Sequence, residues 1–230
     1  PELPEVETFV KSLTSGGMTG SPILNRPILF VSLYWEKALA AQDAGDFAAW
    51  FTRKSIEEVT RRGKYLIRGG NIGTPLIARI DEIGPDDCVI LELSSFQLEL
   101  VTISPHIAAV LNITPNHLDR HGTMEEYIRA KRNILNFQSE SDWAVLSRDD
   151  GNSAALRTAV RGKSATFGFE PPFGDEAIAV GIDEGFVFAT INGKRKNLLK
   201  RIEISLPGRH NLSNVMAAAA IALSAGFDPL

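Results

Sequence analysis

The chain has 230 residues, of which 44% are hydrophobic and 23% charged, and its formal net charge is -4. This composition is typical of a globular protein of one large or two small domains, and it excludes a disordered or fibrous chain. The single cysteine, Cys88, excludes a disulfide framework and a cysteine-based zinc site, and the acidic balance disfavours a protein that coats nucleic acid. The sequence has no run of about 20 apolar residues and begins with acidic residues, so we expect a cytoplasmic protein without a membrane segment or signal peptide.

The first 68 residues mix helical and extended patterns. Apolar spacing predicts a helix over residues 4–14 and an Ala-rich helix over 36–51. Segments of strand character are predicted over 22–34 and 55–67. This part of the chain is therefore predicted to be α+β.

The pattern changes at Gly69, where apolar strands begin to alternate with helices. A glycine turn opening a helix is predicted at 69–80, strands at 88–93, 106–113 and 143–147, helices at 124–137, 152–160 and 211–226, and short strands at 164–169, 177–182, 185–191 and 201–206. Continuous apolar strands between helices are typical of a parallel sheet that is covered on both faces. We therefore predict an α/β fold with a mostly parallel sheet flanked by helices, to which antiparallel strands are added within 164–206.

Polar side chains follow two of the predicted buried strands. Glu92 and Ser94 lie at the end of strand 88–93, His117 lies in the loop after the next strand, and Lys131 lies on the helix that follows. Open α/β sheets bind ligands at the carboxyl ends of their strands. A carboxylate, an imidazole and a lysine at neighbouring strand ends suit a divalent cation held near a phosphate or acyl phosphate. Helix capping and surface salt bridges are the alternative.

Four motifs in this half of the chain resemble the central domain of the Mur ligase family. They are GGNIGTPL, ELSSFQLE, LNITPNHLDRHGTMEEYIRAK and GRHNLSNVMAAAAIAL, in that order within residues 69–230. The resemblance is closest to the branch that adds D-glutamate to UDP-N-acetylmuramoyl-L-alanine in peptidoglycan synthesis. It implies ATP and Mg²⁺ as cofactors, with a substrate carboxylate activated as an acyl phosphate and then attacked by the amine of the amino acid.

The same resemblance implies roles for individual residues. Glu92 and His117 match metal ligands, and Lys131 matches a lysine whose carbamate helps to hold a second metal, so that His117 and Lys131 take catalytic roles. The remaining matches are Asn71, Ser94 and His117 for the muramoyl-alanine substrate, and Asn211 and Asn214 for the adenine ring. Amide groups suit adenine because each offers a donor and an acceptor. Capping for the asparagines and a solvated helix face for Lys131 are the alternatives.

One element that the resemblance requires is missing from the sequence. A phosphate-binding loop of the form G-x-x-x-x-G-K-[ST] should precede GGNIG, and the chain contains none. The Gly-Lys-Ser run at Gly162–Ser164 has Arg157 where the first glycine belongs, and we interpret it as unrelated. The uridine-binding domain and the domain beyond Leu230 are also expected to be missing. We therefore expect the ligase to be incomplete or inactive in this chain.

The front of the chain resembles a second family, formamidopyrimidine-DNA glycosylase, in PELPEVETFVKSL and EEVTRRGKYLI. In that family the amine of Pro1 attacks the sugar. Glu2 matches the acid that assists sugar opening, Glu5 a structural carboxylate, and Lys64 a lysine that contacts DNA phosphate. The resemblance stops at about Ile67, and one cysteine cannot supply the four-cysteine zinc finger of that family.

These resemblances predict two regions, a partial glycosylase-like segment over 1–68 and a Mur ligase central, ATP-binding domain without its phosphate loop over 69–230, joined at Arg68–Gly69. The first hypothesis is the D-glutamate-adding ligase. The second is a DNA glycosylase and lyase of base-excision repair, with DNA as its partner. The third is a non-functional fusion of the two.

Overall fold

The computed structural model describes residues 28–32, 66–70, 88–204 and 207–227. In chain order, the elements of these residues are β1 (Ile28–Ser32), β2 (Leu66–Gly70), β3 (Cys88–Glu92), α1 (Ser95–Glu99), β4 (Ile107–Val110), α2 (Leu118–His121), α3 (Met124–Asn136), β5 (Trp143–Ser147), α4 (Gly151–Ala155), a 3₁₀ turn (Leu156–Ala159), β6 (Lys163–Phe167), β7 (Ile178–Ile182), β8 (Phe186–Ile191), β9 (Lys194–Lys200), a second 3₁₀ turn (Arg201–Glu203) and α5 (Arg209–Ser224).

In the described part of the chain, nine strands form one sheet in the order β2-β3-β1-β4-β5-β6-β7-β8-β9. The strands from β2 across to β7 pair in parallel, whereas β8 and β9 pair antiparallel at the end of the sheet. This arrangement confirms the predicted α/β class with a mostly parallel sheet and added antiparallel strands. All four residues of β4 are buried, as expected for a strand that is covered on both faces.

Two apolar clusters cover the two faces of the sheet. Because side chains alternate along a strand, Ala108 and Val110 of β4 join the cluster that includes Ile134 of α3. Ile107 and Ala109 join the cluster built with α5, which packs along β4 to β7. Each fully buried aliphatic side chain contributes about 1.5–3 kcal/mol relative to its exposed state. The helices therefore cover the faces of the sheet with apolar side chains, and polar side chains lie in the loops at the strand ends.

The structure differs from the sequence prediction in the region of short strands. The predicted strand at 201–206 is wrong at its start, where Arg201–Glu203 form a 3₁₀ turn. The chain instead places the strand β9 directly before it, and five of the seven β9 residues are exposed. The predicted strand at 164–169 corresponds to β6, which pairs in parallel with β5 and belongs to the main sheet. The predicted helix at 152–160 is split between α4 and the 3₁₀ turn at 156–159.

Strands from both sides of Arg68–Gly69 join the sheet. The predicted strand segment 22–34 contains β1, which lies between β3 and β4 and pairs in parallel with both. The strand β2 runs across Arg68–Gly69 itself and pairs with β3. The predicted helices at 4–14 and 36–51 lie outside the described residues. So do most of the predicted strand at 55–67 and of the glycine turn and helix at 69–80. Among the helices of the described residues, none is long and apolar enough to cross a membrane.

Candidate functional site

The strand order places a candidate site at the carboxyl ends of the central strands. The strand β1 lies third in the sheet, with β3 and β2 on one side of it and β4 to β9 on the other. The chain therefore changes direction across the sheet at β1, and such switch points form the ligand crevices of open α/β sheets. At this edge, Glu92 is the last residue of β3, and Ser94 and His117 lie in the segments that follow β3 and β4.

Lys131 is a buried cation beside Glu92. It lies on the inward face of α3, together with Tyr127, Ile134 and Leu135, and is 2% exposed. Burial lowers the pKa of Lys131 from 10.5 to about 8, although the nearby charge of Glu92 opposes this shift. The Lys131 ammonium also lies 5.4 Å from the ring centre of Tyr127. The structure therefore brings these two predicted site residues close together. The lowered pKa also increases the fraction of Lys131 that is a neutral amine near physiological pH.

Ser94 caps the helix α1. Its hydroxyl accepts a hydrogen bond from the backbone N–H of Gln97, and the Gln97 side chain in return accepts from the Ser94 N–H at 2.8 Å. This reciprocal arrangement is a capping box. The capping alternative from the sequence is thus present at Ser94, and it fixes the backbone just beyond Glu92.

His117 adopts a left-handed backbone conformation, with φ of 52° and ψ of 30°. A residue other than glycine rarely adopts this conformation, and such strain is typical of functional sites. The Asn116 side chain accepts a hydrogen bond from the His117 N–H at 2.9 Å. The His117 ring lies 5.1 Å from the ring of Phe96, which belongs to the helix that follows Glu92. His117 is therefore held against the segment that carries Glu92 and Ser94.

A group of side chains between α1 and α2 was not predicted from the sequence. His121 lies 2.9 Å from the hydroxyl of Ser95 and 3.1 Å from the carboxylate of Glu99, and its ring is stacked on Phe96. A signal was available, because His117 and His121 are four residues apart in HLDRH and can share a helix face. The contacts with α1 could not be found in this way, since they join residues 22 to 26 positions apart.

Asn211 and Asn214 lie in the first half of α5 and are half-buried. The Asn211 amide donates to the carbonyl of Pro207 at 2.6 Å, whereas Gly208, which precedes the helix, provides no side-chain cap. Beside them, the Arg209 guanidinium lies 4.0 Å from the ring centre of Phe169. The predicted residues Pro1, Glu2, Glu5, Lys64 and Asn71 lie outside the described residues.

The described side chains fit a divalent cation in part. Within the described ranges, no three His, Cys, Asp or Glu side chains are grouped to hold a metal ion. Glu92 offers the hard oxygen that Mg²⁺ prefers, and His117 offers a nitrogen. The Lys131 ammonium repels a cation, but as a carbamate it would supply a further anionic oxygen. The set therefore fits a hard cation when Lys131 carries that group.

The phosphates of a nucleotide fit less well. In this strand order the phosphate loop should follow β1, but the residues there are Leu33, Tyr34 and Trp35, with no glycine before Gly45. The run Gly162–Ser164 opens β6 at the amino end of the sheet, away from the candidate site. The chain thus lacks the glycine loop and the lysine that phosphate binding requires.

Comparison with known families gives two matches, which overlap. The profile described as the Mur ligase middle domain matches residues 69–222. The profile described as the formamidopyrimidine-DNA glycosylase N-terminal domain matches residues 1–77. Both resemblances named from the sequence are therefore confirmed at the level of the family profile.

Curated relatives are named UDP-N-acetylmuramoylalanine--D-glutamate ligase. The protein of Pelotomaculum thermopropionicum is 36% identical over 227 residues, which cover 98% of this chain and 49% of the relative. The protein of Symbiobacterium thermophilum is 45% identical over 177 residues, which cover 76% of this chain and 38% of the relative. The chain therefore spans about half the length, or less, of these relatives.

Solved structures show the same fold at low identity. The MurF ligase of Thermotoga maritima, solved in complex with ADP, has a TM-score of 0.55 and 17% identity, with 97% of this chain and 48% of that chain covered. A ligase of Acinetobacter baumannii, named UDP-N-acetylmuramoylalanyl-D-glutamyl-2,6-diaminopimelate--D-alanyl-D-alanyl ligase, has a TM-score of 0.56 and 17% identity, with 89% of this chain and 44% of that chain covered.

Proposed function

This chain belongs to the Mur ligase family, and on that premise we propose that residues 69–230 carry the central domain of a D-glutamate-adding ligase whose catalytic cycle the chain cannot complete. In this proposal the domain binds UDP-N-acetylmuramoyl-L-alanine and a divalent cation at the carboxyl ends of β3 and β4. D-Glutamate and ATP are the other substrates of the complete reaction. A cytoplasmic location belongs to the same proposal, and so does a change of family resemblance at Arg68–Gly69, a point that β2 crosses within the sheet.

The observation that carries the proposal is the buried Lys131 beside the half-buried Glu92. A carbamate forms only on a neutral amine. At a pKa of about 8, roughly a tenth of the Lys131 amines are neutral at pH 7, compared with fewer than about one in a thousand for an ordinary lysine. The charge of Glu92 stabilises the ammonium but does not outweigh the burial, so the neutral amine is more populated than in an exposed lysine. The pair thus supports a site that needs a modified lysine.

Each side chain has a defined task in this proposal. Glu92, His117 and the carbamate of Lys131 would hold Mg²⁺, which neutralises negative charge when bound. Ser94 and Asn71 would contact the muramoyl-alanine part of the substrate. Asn211 and Asn214 would face the adenine ring. The ATP phosphates have no loop to position them, and positioning is most of what phosphoryl transfer requires of a protein.

The carbamate is tested directly by NMR. The purified chain is incubated with ¹³C-bicarbonate at pH 8, and a carbamate carbon signal is expected that Lys131→Met abolishes. Lys163→Met is the matched control, because Lys163 is exposed at the start of β6 and its removal should leave the signal unchanged. A spectrum without the signal in the unmodified chain would overturn the metal-site proposal.

The missing step is tested with the complete set of substrates. ATP, Mg²⁺, UDP-N-acetylmuramoyl-L-alanine and D-glutamate are supplied, and phosphate release is measured. We expect no release above the rate without the chain. Phosphate release that requires both non-nucleotide substrates would refute the claim of inactivity and would establish the ligase activity.

A second function is favoured by the family match over residues 1–77. In this alternative, Pro1 attacks an abasic sugar through its amine, Glu2 assists sugar opening and Lys64 contacts phosphate. Borohydride trapping on abasic DNA measures the covalent intermediate, and acetylation of the Pro1 amine is the control. Excision of an oxidised guanine that is lost on acetylation would support the repair function. Absence of both activities would favour the fusion without function.

A further inference from the structure

His121, the last residue of α2, contacts three side chains of α1: Ser95, Phe96 and Glu99. We propose that His121 is a positioning residue, which uses Ser95 and Glu99 to hold His117 in its ligand-binding conformation. The inference rests on the proposed function of the site, because it assigns His117 to a cation. It concerns side chains to which neither the sequence motifs nor the proposed function gave a task.

The hydrogen bonds give each ring nitrogen of His121 a separate partner. The carboxylate of Glu99 can only accept, so Nδ1 of His121 must donate to it across 3.1 Å. In the neutral ring, Nε2 then accepts from the hydroxyl of Ser95 at 2.9 Å. The His121 side chain is 2% exposed, and Ser95 is 2% exposed as well. Water therefore has little access to the imidazole or to the Ser95 hydroxyl, and the two contacts together fix the ring orientation.

The ring of Phe96 connects His121 with His117. His121 lies parallel to Phe96 at an interplanar angle of 4°, with the ring centres 5.1 Å apart. His117 contacts the same ring, and the Arg120 guanidinium lies 4.7 Å from its centre. Three of the five residues of the segment 117–121 thus contact one aromatic side chain of α1. Displacing His121 would release the ring against which His117 rests.

The backbone of His117 needs such support. A left-handed conformation in a residue with a β-carbon costs of order 1–3 kcal/mol and persists when the surroundings enforce it. The His117 carbonyl accepts from the backbone N–H groups of Arg120 and His121, at 3.1 and 3.0 Å. The position of His121 therefore fixes the backbone of His117 through one hydrogen bond and its ring through Phe96.

Ser95, His121 and Glu99 also have the order of a nucleophilic triad. Burial argues against that role, because a nucleophile must reach its substrate and only 2% of Ser95 is exposed. Glu99, which would be the innermost member of a triad, has 43% of its side chain exposed. The acid of the group is exposed to solvent and its serine is buried, which is the arrangement expected of a structural hydrogen-bond network.

The test uses His121→Phe, which keeps a ring for stacking on Phe96 and removes both hydrogen bonds. The chain has four histidines, so the ¹H–¹³C ring signals of His117 can be assigned. We expect these signals to shift or broaden in the variant. Mn²⁺ is the metal probe, and its affinity, measured by electron paramagnetic resonance, should fall about tenfold, since outer partners of metal ligands typically contribute 10–100-fold.

His106→Phe is the matched control, because His106 is also paired with a carboxylate but lies at the amino end of β4. It should change neither the His117 signals nor the Mn²⁺ affinity. If His121→Phe does not fold, Ser95→Ala is measured in the same way, with a smaller expected change. Unchanged His117 signals and unchanged Mn²⁺ affinity in a folded His121→Phe would overturn the inference, and so would labelling of Ser95 by a fluorophosphonate.

The two proposals can fail separately. If the unmodified chain binds no Mn²⁺, the proposed metal site fails, and the His117 ring signals alone then decide the positioning role. A shift in those signals would still support it, and identical spectra would overturn it.

Discussion

Each end of the parallel strands carries a histidine paired with a carboxylate, and the two pairs differ in burial. In the pair beyond the carboxyl ends, the His121 side chain is 2% exposed and its partner Glu99 is 43% exposed. In the pair at the amino ends, His106 is 44% exposed and Asp142 is 17% exposed. The separations, 3.1 and 2.8 Å, are nearly the same. The distance within the pair therefore does not distinguish a site from a surface contact, whereas the exposure of the imidazole does.

The residues around the two histidine–carboxylate pairs also differ in burial. Near the carboxyl ends, the cation of Lys131 is buried beside Glu92, and His117 has a strained backbone. At the amino ends, Asp142 accepts hydrogen bonds from the backbone and the hydroxyl of Ser139 in an exposed turn. Removing a charge from water costs free energy, and this cost is smaller for a charge in an exposed turn. At Lys131 the cost of burial outweighs the nearby charge, whereas at Asp142 hydrogen bonds outweigh the burial, and this difference indicates that the carboxyl end is built for a purpose other than stability.

The largest expected effect is the loss of folding stability that comes from burying the Lys131 ammonium. Its pKa is about 8 in the folded chain and 10.5 in the unfolded one, so the unfolded chain binds more protons between these values. The free energy of unfolding should therefore rise with pH across this window, by about 3 kcal/mol, and should show no such gain below pH 8. In Lys131→Met this rise is absent. Urea unfolding of both proteins from pH 7 to 10.5 measures the difference.

Lys163→Met is again the control for this measurement, since the exposed ammonium of Lys163 should give a profile parallel to that of the unmodified chain. Parallel profiles for the unmodified chain and Lys131→Met would show that Lys131 carries no burial penalty. The contrast between the two ends of the sheet would then disappear.

The second effect tests how tightly the amino end is packed. A methyl group on Gly162 would lie 2.2 Å from the carbonyl oxygen of Asp142 and 2.6 Å from that of Ser139. Neither backbone group can move freely, because the Asp142 carbonyl accepts from the Lys163 N–H at the start of β6. Gly162→Ala should therefore lower the free energy of unfolding by about 2 kcal/mol.

Gly151→Ala provides the comparison for this substitution, because a methyl group there would meet nothing within 4 Å. Its unfolding free energy should match that of the unmodified chain or exceed it slightly. Equal stability of the two variants would show that the turn before β6 is more adaptable than its contacts indicate.

The sequence predicted the parts of the fold that local patterns determine. The strand 143–147 has the observed bounds, and the helix predicted at 124–137 differs from α3 by a single residue at its end. Continuous apolar strands and an apolar face repeating every three or four residues leave few alternatives. The strand β9 was missed because its residues KRKNLLK show neither pattern, and charged residues are typical of an exposed edge strand.

The candidate site was predictable in part. Glu92, Ser94 and His117 could be found because each ends or follows a recognisable strand, and Lys131 because its motif resembles a known family. The contacts of His121 with Ser95 and Glu99 depend on how α2 packs against α1, which no local pattern encodes. The left-handed backbone of His117 also depends on this packing. Resemblance therefore identified residues that match ligands, and the structure was needed to find the side chains that hold them.

The smallest expected effect concerns Asp142. Burial works to raise the pKa of Asp142, but hydrogen bonds from Ser139 and His106 outweigh it and hold the pKa below its ordinary value. These contacts therefore stabilise the fold above the unfolded pKa of about 4, and the gain is lost as the pH falls through the lower folded value. Asp142→Asn should cost about 1 kcal/mol at pH 7 and almost nothing in strong acid.

Asp175→Asn is the matched variant, because Asp175 makes an exposed ion pair with Arg157 at 3.2 Å and is itself 66% exposed. Its cost should stay within a few tenths of a kcal/mol, as for most surface pairs. Thermal unfolding of both variants at pH 2.5 and pH 7 measures the two contributions. Asp142→Asn could instead lower the free energy of unfolding by as much as the burial of Lys131 does. Solvent would then not weaken the interactions of charged groups at the amino end, and the two ends of the sheet would differ in their residues but not in the free energy of their charged groups.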